Sequence, residues 1–394
     1  MDTFYKTHEY LVLHVNSPVR RLLMDEIDWT KRLIGIKGSR GVGKTTFLLQ
    51  FAKEHFEPTD RKCLYINFNN FYFTVHTLIE FAGEFYNNGG RTLLIDQTFK
   101  YENWSKELRY CYDHFPELQI IFSGSSVMRL VEENADLQDI VASYNLRGFS
   151  FREFVNLKST ATFPALNLQE IIDNHEQIVE NICKSVNPSD YFPDYLHHGF
   201  YPFFLETTNY SENLLKTINM MLEVDILLIK QIDLKYLSKI RKLLYMIMQC
   251  SPCTLNISQL STDIQTSRST VMNYIKYLQD ARLLNLLYVA GDKYPKKPKS
   301  VFLQNTNLTY VVIPNKISQE CEYKTFLYNM LHARHKVNLG KNHADFLINE
   351  TINIKYLKNE NLKHKDNSHV IYAVDHITSG SKNNIPVWLF GFLY

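Results

Sequence analysis

The sequence predicts an α/β protein whose core is a parallel sheet with helices on both faces. Between residues 32 and 146, short apolar runs alternate with segments of helical periodicity. Strands that alternate with helices form parallel sheets, because each crossover helix returns the chain to the same edge of the sheet. Beyond residue 150 the pattern is mainly helical, and a few short strands follow towards residue 394.

The N-terminal elements follow from the spacing of apolar residues. Strands are predicted at 32–37, 63–68, 92–96, 118–122 and 142–146, and helices at 17–29, 45–55, 75–85 and 104–114.

The strongest motif lies between the first strand and the helix that follows it. It reads Gly38-Ser39-Arg40-Gly41-Val42-Gly43-Lys44-Thr45, followed by Thr46. Such a loop needs glycines because backbone N–H groups must crowd around phosphates, while the lysine neutralises the β- and γ-phosphates and the hydroxyl of Thr45 binds Mg²⁺. The helix that starts there directs its N-terminal dipole at the phosphates. The sequence therefore predicts a site for ATP with Mg²⁺.

Three residues near the carboxyl ends of later strands could complete this site. Asp96 closes an apolar strand and is the candidate acid for the hydrated Mg²⁺. Enzymes of this type usually carry a glutamate next, whereas this chain has Gln97, whose amide is a poor proton acceptor. Ser123 is either a sensor of the γ-phosphate or a serine in a Gly-Ser turn. Candidates for a charge-stabilising arginine are Arg129 and Arg147.

These motifs resemble a family of bacterial and archaeal AAA-type P-loop ATPases with a helical lid, a winged helix and a restriction-endonuclease-like C-terminal domain. The matching segments are 33–46, 94–97, 100–101, 103–104, 122–126, 148–154 and 305–308. The resemblance implies an AAA-type domain over 1–150, a lid over 151–235, a winged helix over 236–312 and the nuclease-like domain over 313–394. The chain departs from the family at Gln97 and in an arginine pair that is missing from 136–143. The resemblance thus implies ATP binding more firmly than hydrolysis.

The segment 236–304 predicts three helices and a hairpin. The hairpin tip carries Lys293, Lys296, Lys297 and Lys299, and the third helix carries Ser267, Arg268, Ser269, Thr270, Asn273 and Lys276. Such residues can contact phosphates and bases. The region could bind DNA, or it could pack between domains, because a fold alone does not decide function.

The C-terminal segment predicts a helix at 323–333 and strands at 344–348, 351–355, 369–374 and 386–393. In the resembling nucleases, one acid and an acid-x-Lys pair hold the metal near the scissile phosphate. Asp345 fits the first position, but the second reads Asn353-Ile354-Lys355. One carboxylate makes a poor Mg²⁺ site, which favours an inactive domain.

Charge, cysteine content and the absence of long apolar runs narrow the possible partners and location of the protein. The net charge of +2 indicates no polyanionic partner by itself. A single Cys-x-x-Cys, Cys250 to Cys253, favours two reduced thiols rather than zinc. We see no signal peptide and no long apolar run, which favours a cytoplasmic protein that does not span a membrane. AAA-type modules often act as rings, so a homo-oligomer is a further expectation.

Overall fold

The computed structural model describes residues 1–128, 130, 134–206, 209–227, 230–312, 318–359 and 369–394. The described chain divides into two compact units, Met1–Arg147 and Gly148–Tyr394. The finer division into four domains stays a prediction.

The first unit is a parallel five-stranded sheet with helices. Its helices are α1 Asp2–His14, α2 Leu23–Glu26, α3 Lys44–His55, α4 Leu78–Asn87 and α5 Trp104–His114, and its strands are β1 Leu33–Gly38, β2 Cys63–Asn67, β3 Thr92–Asp96, β4 Gln119–Ser125 and β5 Ala142–Asn145. The strand order is β2-β3-β4-β1-β5, and every pair is parallel. The predicted parallel sheet is therefore confirmed.

The sheet order brings the polar strand ends together. Strand β4 lies between β1 and β3, and Ile95 pairs with Phe122, so Asp96 and Ser123 are next to each other across the ladder. Side chains at the interior of β3 are buried on both faces, as the continuous apolar run indicates. The predicted loop, acid and serine thus share one edge of the sheet.

The predicted helix over 17–29 is wrong for most of its length. Only Leu23–Glu26 is helical, while an unpredicted helix covers Asp2–His14. Arg21 in this segment donates instead to the backbone carbonyls of Val42 and Arg147, and such tertiary contacts override local helical spacing.

The second unit begins with helices and ends with a mixed sheet. Its helices are α6 Phe151–Ser159, α7 Leu168–Cys183, α8 Phe192–Asp194, α9 Tyr210–Met220, α10 Leu237–Cys250, α11 Ile257–Asp263, α12 Arg268–Asp280, α13 Asn307–Val312 and α14 Gln319–Leu331. A hairpin pairs β6 Leu284–Leu287 with β7 Ser300–Leu303, and the sheet contains β8 Val337–Leu339, β9 Phe346–Ile348, β10 Ile352–Leu357, β11 Val370–Val374 and β12 Asn384–Pro386.

The mixed sheet has the order β12-β11-β10-β9-β8, with β10, β11 and β12 parallel and the other pairs antiparallel. The predicted strand over 386–393 is wrong. Val387–Phe392 forms a buried 3₁₀ helix that packs on α14, α6 and α7. A short apolar run does not distinguish a strand from a buried helical turn by its periodicity, which is the reason for the error.

The expectation of two reduced thiols is also wrong in this structure. Cys250 and Cys253 are joined in a disulfide. The turn through Ser251 and Pro252 holds their Cα atoms 5.6 Å apart, within the range that a disulfide spans.

Among the described residues, no helix combines the length and the apolar character needed to cross a membrane.

Candidate nucleotide-binding site

The loop after β1 has the backbone shape that a phosphate cradle requires. Gly41 and Gly43 have φ of 83° and 93°, in the left-handed region that favours glycine. A Cβ on Gly38 would lie 2.5 Å from the carbonyl oxygen of Leu146, so this position also requires glycine. Ser39 and Val42 are buried, which anchors the loop on the sheet.

The cationic side chains lie on the loop itself. The Nζ of Lys44 donates to the carbonyl oxygens of Gly38 at 2.9 Å and Ser39 at 2.8 Å. The guanidinium of Arg40 lies over the ring of Phe99, 5.8 Å from its centroid. Helix α3 starts at Lys44, so its first N–H groups and its dipole face the loop.

Asp96 is the centre of the polar cluster at the strand ends. It is fully buried, and its two oxygens accept hydrogen bonds from different sides. Oδ2 accepts from Thr45 Oγ1 at 2.7 Å and from the Tyr65 hydroxyl at 2.9 Å. Oδ1 accepts from Ser123 Oγ and, at 2.9 Å, from the backbone N–H of Gln97. A buried carboxylate needs such donors, because an unpaired charge in the interior is costly.

Gln97 occupies an unusual backbone position. Its φ of 58° is left-handed, which costs a non-glycine residue about 1–2 kcal/mol. The strain is offset by its N–H, which donates both to Asp96 and, at 3.1 Å, to Ser123 Oγ. Asp96, Gln97 and Ser123 are therefore held as one hydrogen-bonded group.

The residues present fit Mg²⁺ and a nucleotide. Mg²⁺ is usually bound through one or two carboxylates together with substrate phosphates and water. The hydroxyl of Thr45 and the carboxylate of Asp96 supply hard oxygen atoms 2.7 Å apart beside the loop. A cavity of about 590 Å³ reaches Thr45 and is also lined by residues of α1 and β2.

Of the two predicted arginines, the structure describes one. Arg147 closes the first unit, and its backbone carbonyl accepts from Arg21 at 2.7 Å. Arg129 lies outside the described residues. The role of an arginine at the transition state stays a prediction.

In the segment that predicts a winged helix, several polar residues are engaged locally. Asn273 accepts from the hydroxyl of Tyr294, and Lys276 forms an ion pair with Asp280 at 2.9 Å. Ser267 caps α12 and hydrogen-bonds to Ser269 and Thr270. The exposed cations at the start of α12 and between β6 and β7 are Arg268, Lys293, Lys296, Lys297 and Lys299. Lys296 pairs with Asp292 at 2.5 Å.

Helix α14, which precedes the C-terminal sheet, brings a lysine to Asp345. The Nζ of Lys324 lies 2.7 Å from Asp345 Oδ1 and 2.7 Å from Glu320 Oε1. Burial alone would lower the pKa of Lys324, but hydrogen bonds to the two acids outweigh burial and raise it. The hydrogen bond from Lys324 lowers the pKa of Glu320.

Asn353 is also engaged away from Asp345, since its Oδ1 accepts from the backbone N–H of Lys341 at 2.9 Å. Across the part of the chain that the structure describes, no group of three or more His, Cys, Asp or Glu side chains is placed to hold a metal ion. The described partner of Asp345 Oδ1 is thus the ammonium of Lys324.

Sequence reasoning missed three of these residues. Tyr65 lies within a buried strand and has the pattern of a core aromatic residue. Glu320 and Lys324 occupy helical i,i+4 positions that are typical of a solvated ion pair. The signal that the sequence offered was the pair of acids in the first turn of α14, Glu320 and Glu322.

Comparison with known proteins finds a family model that matches part of the chain. Residues 30–155 match a family model described as an AAA domain. This match and the parallel sheet confirm the predicted AAA-type α/β core, and they support nucleotide binding by this part of the chain. Residues 189–304 match a second family, described as a domain of unknown function.

An uncharacterized protein of Methanocaldococcus jannaschii is 25% identical over 286 residues, which is 68% of this chain and 59% of the relative. The chain therefore spans less than two thirds of that relative's length.

Two solved structures are similar at low scores. The ORC1 protein of Aeropyrum pernix, in complex with DNA, has 9% identity and a TM-score of 0.30, and the match covers 80% of this chain and 92% of that chain. A DNA polymerase III gamma subunit-related protein of Thermotoga maritima has 11% identity and a TM-score of 0.27, with 71% and 97% covered.

Proposed function

We propose that this protein is an AAA-type ATP-binding switch that hydrolyses ATP slowly. The observation that carries the proposal is the cluster of Thr45 and Asp96 beside a residue 97 that offers an amide where a base is needed. ATP binding needs groups that hold phosphates and Mg²⁺, whereas hydrolysis also needs a base for the attacking water. The chain has residues for binding but an amide at the position of the base.

The residues would act as follows. Backbone N–H groups of the loop from Gly38 to Thr45 and the ammonium of Lys44 hold phosphate oxygens, while Thr45 and Asp96 hold Mg²⁺. When bound, Mg²⁺ neutralises charge on the β- and γ-phosphates. The carboxamide of Gln97 can orient a water molecule but removes its proton poorly, and this limits the rate.

Binding is tested by titrating the protein with a fluorescent ATP analogue. Lys44→Ala is expected to weaken binding at least 10-fold, because the loop then loses its point charge on the phosphates. Lys53→Ala is the matched control, since this exposed lysine lies near the other end of α3. Equal affinities in the two variants would contradict the proposed site.

Hydrolysis is tested by phosphate release at saturating ATP. A missing general base costs about 10²–10⁴-fold, which from a typical turnover of about 10 per second leaves less than one per second. Turnover above about one per second would contradict the slow switch while leaving ATP binding intact.

A second candidate is a nucleotide-regulated DNA-binding protein that acts through the segment 236–312. It is favoured by Arg268 at the start of α12 and by four exposed lysines between β6 and β7. When lysines neutralise DNA phosphates, the counterions of those phosphates are released. The affinity for duplex DNA should therefore fall steeply with salt: the logarithm of the binding constant falls by about 0.9 per logarithmic unit of salt for each phosphate contact.

The test replaces Lys293, Lys296, Lys297 and Lys299 by glutamine and follows duplex binding between about 50 and 200 mM salt. The control replaces Lys6, Lys31, Lys53 and Lys62 in the first unit, which makes the same change in net charge. The salt slope should fall only in the first variant. Identical slopes in both variants, or a flat response of the wild-type protein, would reject the DNA-binding function.

A further inference from the structure

Asp96 has a hydrogen-bond donor that comes from the edge strand of the sheet. Tyr65 lies on β2, is 4% exposed, and donates from its hydroxyl to Asp96 Oδ2 at 2.9 Å. The same oxygen accepts from Thr45, while the other oxygen accepts from Ser123 and Gln97. Each carboxylate oxygen therefore has two donors, and Tyr65 is one of the pair on the Thr45 side.

We propose that Tyr65 is a positioning residue of the magnesium site, an inference that rests on the proposed ATP-binding function. An aspartate carboxylate rotates easily about its last bond, because this torsion has a broad energy profile. Two donors on Oδ2 fix that rotation and keep the oxygen beside the Thr45 hydroxyl. Hydrogen-bond partners of this kind typically change metal affinity 10–100-fold when they are removed.

Tyr65 is itself held in place, both at its backbone and at its hydroxyl. The backbone N–H of Tyr65 donates to Nδ1 of the buried His8 at 3.0 Å, which ties β2 to α1. The amide of Asn67 donates to the phenol oxygen at 3.5 Å. A phenol has one proton and a carboxylate only accepts, so the proton of Tyr65 points to Asp96.

An ordinary phenol has a pKa of about 10, so Tyr65 carries its proton at neutral pH and can donate it. Tyr65 and Thr45 are both lining residues of the 590 Å³ cavity, so the two side chains that donate to Oδ2 belong to its wall.

The experiment separates metal binding from nucleotide binding. Tyr65→Phe removes only the hydroxyl, and Oδ2 keeps its donor from Thr45. Tyr72→Phe is the matched control, because Tyr72 lines the same cavity and its ring stacks on His76 with centroids 4.2 Å apart. Binding of a fluorescent ATP analogue is measured in excess EDTA and then as a function of Mg²⁺ concentration.

We expect Tyr65→Phe to raise the Mg²⁺ concentration at half-maximal effect about 10-fold. Its affinity in EDTA should stay within about twofold of the wild type, since the phosphate contacts are unchanged. Tyr72→Phe should match the wild type in both measurements.

The possible outcomes are distinguishable. An unchanged Mg²⁺ midpoint in Tyr65→Phe, with binding intact, overturns the positioning role alone. Loss of binding in EDTA as well as in Mg²⁺ would mean that the phenol supports the fold and not the metal site. No binding by the wild-type protein in either condition overturns the ATP-binding function and this inference with it.

Discussion

Replacing Asp96 by asparagine should remove the metal site while leaving the fold. The carboxylate accepts from Thr45, Tyr65, Ser123 and the N–H of Gln97. An asparagine keeps one oxygen and places an NH₂ group on the other side. Hydroxyl groups can turn to accept from that NH₂, but the Gln97 N–H cannot, so the NH₂ should face Thr45 and Tyr65. The atom beside Thr45 is then a donor and cannot bind Mg²⁺.

The stability without nucleotide should change little. Exchanging charged for neutral hydrogen bonds costs about 1 kcal/mol for each bond, and relief from burying a charge offsets a similar total. We therefore expect the free energy of unfolding of Asp96→Asn to stay within about 2 kcal/mol of the wild type.

The loss of the metal site should instead reduce the amount by which ATP with Mg²⁺ stabilises the folded protein. At an ATP concentration 100 times the wild-type Kd with Mg²⁺, binding stabilises by about 2.7 kcal/mol. A variant that binds 100-fold more weakly gains only about 0.4 kcal/mol. At roughly 2–4 °C per kcal/mol, the rise in Tm is about 5–11 °C for the wild type and under about 2 °C for the variant.

The assay is thermal unfolding with Mg²⁺ and ATP or with EDTA and ATP. Asp113→Asn is the control, because it removes the same charge from helix α5. Its neighbour Tyr112 accepts a hydrogen bond through its carbonyl oxygen from Arg32, which precedes β1. Asp113 therefore lies at the end of the sheet opposite to Asp96. If Asp96→Asn keeps the full Mg²⁺-dependent rise in Tm, Asp96 is not the metal acid and the reasoning fails.

Three further predictions concern other positions. Gln97→Glu should raise phosphate release at least 10-fold, because it supplies the missing base; an unchanged rate with ATP still bound would contradict this. Burial lowers the pKa of His8 to about 4 from an unfolded value of 6.5. The unfolded chain therefore takes up the proton first, so stability should fall by at most about 3 kcal/mol between pH 6.5 and 4. Urea unfolding checks this, and His8→Gln should lose that part of the pH dependence; an equal pH dependence in both proteins would show that another group causes it. Lys324→Met should lower the free energy of unfolding by about 1–3 kcal/mol, because Asp345 and Glu320 lose their shared cation. Added Mn²⁺ should restore part of it, and no response to Mn²⁺ would show that the two acids cannot hold a metal.

Local patterns were sufficient for the centre of the site. The strand, the glycine loop and the helix that begins at Lys44 are contiguous, and Asp96 follows its own apolar run, so each could be predicted from neighbours in the chain. Parallel strands place their carboxyl ends at one edge, which also predicted that Ser123 would lie near Asp96.

Contacts over long sequence separations could not be predicted. Tyr65 and Asp96 are 31 residues apart, and only the pairing of β2 with β3 brings the phenol to the carboxylate. A tyrosine in a buried strand has the same local pattern whether or not its hydroxyl reaches an acid. The pairing of Lys324 with Asp345 likewise depends on how α14 packs, which apolar periodicity does not specify.

The left-handed backbone of Gln97 has an evolutionary consequence. Glutamine and glutamate have the same shape and tolerate this backbone equally, and their codons differ by one nucleotide. A single base change would therefore place a carboxylate on a main chain already tied to Asp96 and Ser123. A lineage carrying this loop could move between holding ATP and hydrolysing it without rebuilding the sheet around it.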